Sequence, residues 1–341
     1  MTPTAPPAAP AAPAAPASAP STLSSIVVGT DFTPGSSAAL AQAIRIAAWS
    51  GAKVHVVHVI DTQVVIELEE ALSPMQQGIR DGLVADAQLA WAAFAASLPG
   101  AAGLPVEVAI NNRIVGILGR ARENRADLLV MGAHGDRRTD AGVGSVAGAC
   151  VRKSMTDVLM VRDATGPTGA APFKTIVAAV DFSPTSLRAV RRAAAFAAKD
   201  GAELHLLHVF QSPWRQLHPR ATTPAPPGLQ QHREGLERRL TEFCRPALEP
   251  SAIPAGAVRS VVYDCAGHRS GIVEYAGRVR ADLIVLGTRG RTNLRDLLLG
   301  GTAEKAIEES RCSILVVKPE GFEHPLAAEP QPRPVQMRTL S

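Results

Sequence analysis

Aromatic residues are scarce in this chain: Phe, Trp and Tyr together make up 4% of its 341 residues. Its cores must therefore be aliphatic. Single-stranded nucleic acid is held by aromatic rings interleaved with basic side chains, and no such pattern occurs. Cysteine is scarce as well. Cys150, Cys244, Cys265 and Cys312 are scattered with no CxxC, which argues against a disulfide framework and fits buried free thiols in a reducing compartment. No apolar run is long enough to span a bilayer. The GxxxxGK[ST] phosphate loop is absent. No Ser/His/Asp ordering or carboxylate pair points to a nucleophile or an acid–base couple. Charge is only mildly unbalanced, at +4. The doublets Arg191-Arg192 and Arg238-Arg239 read as solvated helix faces rather than a nucleic-acid patch.

Hydrophobic residues make up 46%, enough to bury sizeable cores, and the length suits about two domains. The chain repeats itself. Ser25-Ile26-Val27-Val28-Gly29-Thr30-Asp31-Phe32-Thr33-Pro34 returns as Thr175-Ile176-Val177-Ala178-Ala179-Val180-Asp181-Phe182-Ser183-Pro184. Ala52–Val59 and Ala202–Val209 match as second strands, and Arg125–Gly132 matches Arg280–Gly287. Val158–Val161 and Ile314–Val317 close the two halves as apolar strands. Asp31 and Asp181 lie 150 positions apart, Asp127 and Asp282 155, Val161 and Val317 156. The second half thus gains five residues in its middle and one in its glycine loop. This is one fold duplicated in tandem, not a short-period solenoid.

Within each half, strands alternate with helices, which predicts a parallel sheet covered on both faces. Helices are expected near 36–50 and 186–199, near 114–124 and 270–280, and over 229–244. A long helix over 68–98 should break near Ser73-Pro74. Third strands are expected at 105–110 and 257–263, and 212–228 reads as a Pro-rich loop. Residues 1–22 are Ala/Pro repeats with neither a basic start nor an apolar core, and read as a disordered tail rather than a signal peptide. Residues 163–172 read as a linker and 319–341 as a flexible tail. Two domains, 24–162 and 173–318, remain.

The stretch that organises the chain runs from Ala281 to Lys305. Leu283 to Leu286 is an unbroken apolar strand. Gly287 and Gly290 let the backbone turn and approach a ligand. Gly300-Gly301 opens a helix whose free amides and positive dipole end favour an anion.

These residues resemble the universal stress protein family, twice over. The family's pattern after its fourth strand is G-x2-G-x9-G-[ST], and it holds ATP phosphates in nucleotide-binding members. The second half carries Gly287, Gly290 and Gly300, with Gly301 in place of the hydroxyl residue and Thr302 one place later. The first half carries Gly132, Gly135, Gly144 and Ser145, with a loop one residue short. Asp136 and Asp140 there would repel a triphosphate, partly offset by His134, Arg137 and Arg138. The resemblance implies two flavodoxin/Rossmann-like doubly wound α/β domains in tandem, each a five-stranded parallel sheet in the order 3-2-1-4-5 with helices on both faces. It implies a site outside the carboxyl ends of strands one and four, where the winding reverses. Asp181 and Val209 would join Gly287, Arg289, Gly290, Gly300, Gly301 and Thr302 there. Asp31 and Val59 would join Gly132, Gly135, Gly144 and Ser145 in the first half. The second half ranks first as a binder, because its loop keeps full length and carries Arg289, Arg291 and Arg295.

Plainer readings stand beside these. The glycines can serve turns and packing, and Asp31 and Asp181 can cap helices. His55/His58 and His205/His208 lie three apart on strands, on opposite faces, so neither pair shares a metal. Cys265-x-x-His268 lacks partners at zinc spacing, and no structural metal is expected. Glu67, Glu69 and Glu70 read as a solvated helix face. The expectation is a cytoplasmic stress-response protein and not an enzyme. It would bind ATP, with or without Mg²⁺, as a sensor or interaction module, and touch neither nucleic acid nor membrane. Its halves are expected to pack as a pseudo-dimer, with the closing strands Val158–Val161 and Ile314–Val317 as candidates for the contact, and a homo-oligomer is a further option. A nucleotide-free scaffold of the same fold is the main alternative. An ATP-consuming enzyme is less favoured, because both first turns lack Ser-Gly-Gly-x-Asp-Ser.

Overall fold

In a computed structural model, residues 23–72, 78–134, 143–162, 171–212, 227–265, 267–288 and 299–321 are described. The first half runs β1 (Ser25–Thr30), α1 (Pro34–Ser50), β2 (Lys53–Asp61), α2 (Thr62–Leu72), α3 (Ile79–Ala96), β3 (Val106–Asn111), α4 (Arg113–Glu123), β4 (Leu128–Gly132), α5 (Ser145–Lys153) and β5 (Asp157–Val161). The second runs β6 (Thr175–Ala179), α6 (Pro184–Asp200), β7 (Glu203–Phe210), α7 (Pro227–Leu248), β8 (Val258–Asp264), α8 (His268–Arg278), β9 (Leu283–Gly287), α9 (Gly301–Glu309) and β10 (Ser313–Val317).

Local chemistry explains the repeated elements. Every residue of β1 is buried, as an apolar run covered on both faces must be. The Thr33 hydroxyl accepts from the Ser36 amide at the start of α1, Pro34 sits in the first turn, and Gly51 closes the helix at φ 75°. Ser183, Pro184 and Gly201, at φ 66°, do the same for α6. A hydroxyl cap, a proline at the first position and a left-handed glycine at the end are the chemical signals that bound a helix. Asp127 ties β1 to β4: its carboxylate accepts from the Ser24 and Ser25 amides at 2.7 and 3.1 Å. Asp282 repeats this on Lys174 and Thr175 at 2.7 and 2.9 Å.

Where the sequence predicts one broken helix over 68–98, two helices form, and α2 begins at Thr62 directly after β2. The Asp61 carboxylate accepts from the Gln63 amide and starts the helix early. The expected break, at Ser73-Pro74, lies outside the described residues. The helix expected over 229–244 extends to Leu248, carrying Pro246 in its last turns. The first tail, residues 322–341 of the second and most of the linker also fall outside the described residues.

Each half forms the order 3-2-1-4-5, all parallel. The five strands of the second half mirror it. β5 and β10 pair antiparallel, Leu159 opposite Leu315, so one ten-stranded sheet crosses both halves. Alternate strand residues feed two cores. Ile26, Val28, Ile176 and Ala178 meet α1, α3, α6 and α7 on one face. Val27, Val177, Ile284 and Val316 meet α4, α5, α8 and α9 on the other.

Candidate functional site

The sheet reverses its winding between β1 and β4, and a cleft of about 780 Å³ opens there at the carboxyl ends of the first-half strands. Asp31, Val59, Gly132, Gly144 and Ser145 all line it. Each arrives from a different structural cause. Asp31 ends β1, and its carboxylate accepts from the Thr33 amide at 3.2 Å and the Thr33 hydroxyl at 2.5 Å. Its capping role is therefore realised, through the hydroxyl that caps α1, and Asp31 remains exposed at the cleft. Val59 lies near the end of β2, beside the His58 ring, whose Nδ1 donates to the Thr30 carbonyl at 2.9 Å.

Close backbone approach shapes the floor. A Cβ on Gly132 would lie 2.6 Å from the carbonyl of Gly35, and one on Gly35 would lie 2.1 Å from the His134 carbonyl oxygen. Only glycine lets β4 run so near the start of α1. Beyond the turn, the Gly144 amide donates to the Ala133 carbonyl at 2.8 Å and pins the loop's return. α5 then starts at Ser145 with Gly144 as its cap and no side-chain cap bond. Its first amides and the positive end of its dipole face the cleft, suited to an anion.

Charged groups ring the opening. Arg113 and Asp61 form a half-exposed pair at 3.3 Å. His134 accepts at Nε2 from Arg162 at 3.0 Å. Burial, and next the Arg162 guanidinium, hold the His134 pKa below the ordinary imidazole value.

The second half repeats the frame with different occupants. Asp181 accepts from the Ser183 amide and hydroxyl at 3.0 and 2.6 Å. The Gly300 amide donates to the Thr288 carbonyl at 2.8 Å, and α9 starts at Gly301 with no side-chain cap bond. Here, however, His268 Nδ1 donates to the Val209 carbonyl at 2.8 Å. A Cβ on Gly301 would lie 2.6 Å from an Arg269 guanidinium nitrogen, so that side chain occupies the space before the helix end.

The profile described as the universal stress protein family matches residues 23–162 and again 172–318. The chain belongs to the universal stress protein family. Universal stress protein A homolog 1 of Coxiella burnetii is 33% identical over 149 residues, covering 42% of this chain and 96% of that protein. Universal stress protein MJ0531 of Methanocaldococcus jannaschii is 30% identical over 146 residues, 43% and 82% of the two chains. Among solved structures, a putative universal stress protein from Pseudomonas aeruginosa UCBPP-PA14 overlays with a TM-score of 0.56 at 20% identity, over 87% of this chain and 94% of that one. That overlay speaks to the fold.

In this universal stress protein, the residues of the glycine pattern divide into those the structure describes and those it does not. Gly135, Asp136, Arg137, Arg138 and Asp140 of the first loop, and Arg289, Gly290, Arg291 and Arg295 of the second, lie outside the described residues. Thr302 follows Gly301 in the first turn of α9. The cysteine and histidine of Cys265-x-x-His268 turn to separate partners: Cys265 Sγ to Glu274 at 3.6 Å and His268 to Val209. Among the described residues no three His, Cys, Asp or Glu side chains are grouped to hold a metal ion. Nor, among them, is any helix long and apolar enough to cross a membrane. Burial pushes the Cys150, Cys244 and Cys312 thiols up to about 12. Sequence reasoning missed the role of Arg162 and placed no weight on Arg269. A basic residue directly after the last strand of each half, Arg162 and Lys318, was the available signal.

Proposed function

We propose that this universal stress protein binds an adenine nucleotide, with the first-half cleft as its site, and acts as a sensor or interaction module in a stress response rather than as an enzyme. The observation that carries this is the cleft itself. Five residues that the family resemblance implies line one cavity at the switch point, in front of an uncapped helix end. Its volume falls in the range of small-molecule sites, about 300–1,000 Å³. Phosphates would rest on the first amides of α5, the ribose near Asp31 and the base against the end of β2 at Val59. ATP is the nucleotide proposed, with Mg²⁺ as a companion of the phosphates.

A second reading applies to the second half alone. His268 on the Val209 carbonyl and Arg269 before Gly301 support a half that keeps the fold without the ligand, as a scaffold. Titration calorimetry with ATP and Mg²⁺ separates the two. Gly144 and Gly300 both have extended backbones, at φ −56° and −71°, which any residue adopts. Gly144→Val should abolish the heat of binding, and Gly300→Val should leave it, with both variants melting as folded proteins. Silence from the wild type at millimolar ATP would remove the reading. Loss only in Gly300→Val would move the site to the second half.

A further inference from the structure

The helices whose first turns face the two ledges, α5 and α9, are held at their other ends by residues of the opposite half. In α5 the last regular bond runs from the Ser154 amide to the Cys150 carbonyl. The next carbonyl, Val151, accepts from Lys318 Nζ at 2.8 Å. In α9 the last bond runs from Ser310 to Ala306, and the next carbonyl, Ile307, accepts from the Arg162 guanidinium at 2.8 Å. Lys318 and Arg162 directly follow β10 and β5, the two strands of the antiparallel seam. Their own amides are fixed reciprocally: Lys318 N–H donates to Asp157 at 2.9 Å, Arg162 N–H to Ser313 at 3.1 Å. Both side chains are buried, at 1% and 9% exposure. Sinking a cation so deeply costs free energy unless it is well bonded, and here part of the return is a helix terminus completed from outside.

We propose that Lys318 and Arg162 are positioning residues that act across the halves, each setting a helix of the other half: for Lys318 the helix whose far end forms the anion ledge of the first-half cleft, for Arg162 the helix before whose far end Arg269 lies. A cation at the carboxyl end and an anion at the amino end stabilise one helix in one place. Filling the ledge and seating the clamp are then linked, and the linkage is reciprocal. In the first half Lys318 reaches α5 from the second half. Arg162 makes a further connection, because the same guanidinium that holds Ile307 also donates to His134 at the first-half cleft. A change at His134 is thereby carried to α9 without any shared ligand.

The claim about affinity rests on the nucleotide reading above, whereas the claim about the helix does not, and the test keeps them apart. It uses the full chain as wild type, Lys318→Met and Lys318→Arg. Hydrogen exchange without ligand should show the α5 amides exchanging about tenfold faster in Lys318→Met, beyond any change in β10, and near wild-type rates in Lys318→Arg. Calorimetry with ATP and Mg²⁺ should show affinity about five- to tenfold weaker in Lys318→Met and restored in Lys318→Arg. Equal exchange at α5 in all three proteins would overturn the clamp, as would a loss spread evenly over the sheet. Failure of the arginine to restore α5 would also overturn it. Equal ATP affinity in wild type and Lys318→Met would overturn the link to the ledge. A wild type that binds no ATP would sink the nucleotide reading and the affinity claim with it, while exchange alone would still decide the clamp.

Discussion

Phe32 and Phe182 hold the left-handed backbone region at φ 61° and 63°, where a bulky side chain costs about 1–2 kcal/mol. Each ring is caught by its surroundings. Phe32 stacks on His58 with centroids 4.4 Å apart. Phe182 lies 4.6 Å from His208 and beneath the Arg239 guanidinium at 4.4 Å. Strain of this kind persists only where neighbours over-determine it, and it collects at functional turns. Here it directs the chain from β1 into α1 and leaves Asp31 at the mouth of the cleft. His134 offers a pH test at the same scale. Burial and Arg162 depress its folded pKa, so the unfolded chain takes up this proton first as pH falls. The stability that neutral His134 contributes is present above about pH 6.5 and is lost as pH falls through its folded value. Denaturant melts at pH 7.5 and 5.5 should therefore show a smaller acid loss in His134→Gln than in wild type, and parallel losses would refute the assignment. The repeated Asp-Phe-[Thr/Ser]-Pro was legible as a turn with a cap. The positive φ was not, because it depends on what the ring packs against.

At the scale of elements, the fit of helix to strand decides how the site is walled. A Cβ on Gly116 of α4 would meet the Val59 methyl groups at 2.9 and 3.0 Å. On Gly271 of α8 it would meet Val209 at 2.6 Å and the Cys265 Cβ at 2.9 Å. Both helices lean on the end of the second strand of their half, which in the first half lines the cleft at Val59. Overpacking there should cost about 1–3 kcal/mol. Gly271→Ala should lose more than Gly116→Ala in urea melts, since it strikes two neighbours more tightly. Equal stabilities of both variants and wild type would show that the helices lift away freely. Helix and strand types were readable here from periodicity, and some boundaries were not. α2 starts at Thr62 because Asp61 caps it, although its β-branched run, Val64-Val65-Ile66, reads poorly as helix. α7 runs past the residue before Pro246, where a helix is biased to end, because Leu240, Cys244 and Ala247 bury against the sheet-facing core.

At the scale of the molecule, a buried charge cluster fastens the halves. Asp157 of β5, 2% exposed, takes Arg188 and Arg192 of α6 at 2.9 and 3.0 Å, together with the Lys318 amide. Arg188 also donates to the Lys318 carbonyl. The equivalent position in the second half is Ser313, so the cluster is one-sided. Removing one partner from a buried pair leaves the other charge stranded, and Asp157→Ala should cost about 3–5 kcal/mol. Because that charge lies between the halves, the loss should appear as a single lowered transition in calorimetry. A melt unchanged from wild type would show that the cluster contributes nothing.

Sequence pattern alone determined the duplication, the alternation of strand and helix, and the glycines and caps of each turn, because these depend on neighbours a few residues apart. The tertiary structure decided the rest. It alone fixed the antiparallel register of β5 on β10, joined Asp157 to Arg188 and Arg192, and set Arg269 before Gly301 and Lys318 beneath α5. Each of those contacts joins residues far apart along the chain, so no local period or spacing encodes it. They exist only once two sheets share an edge and two cores close over it.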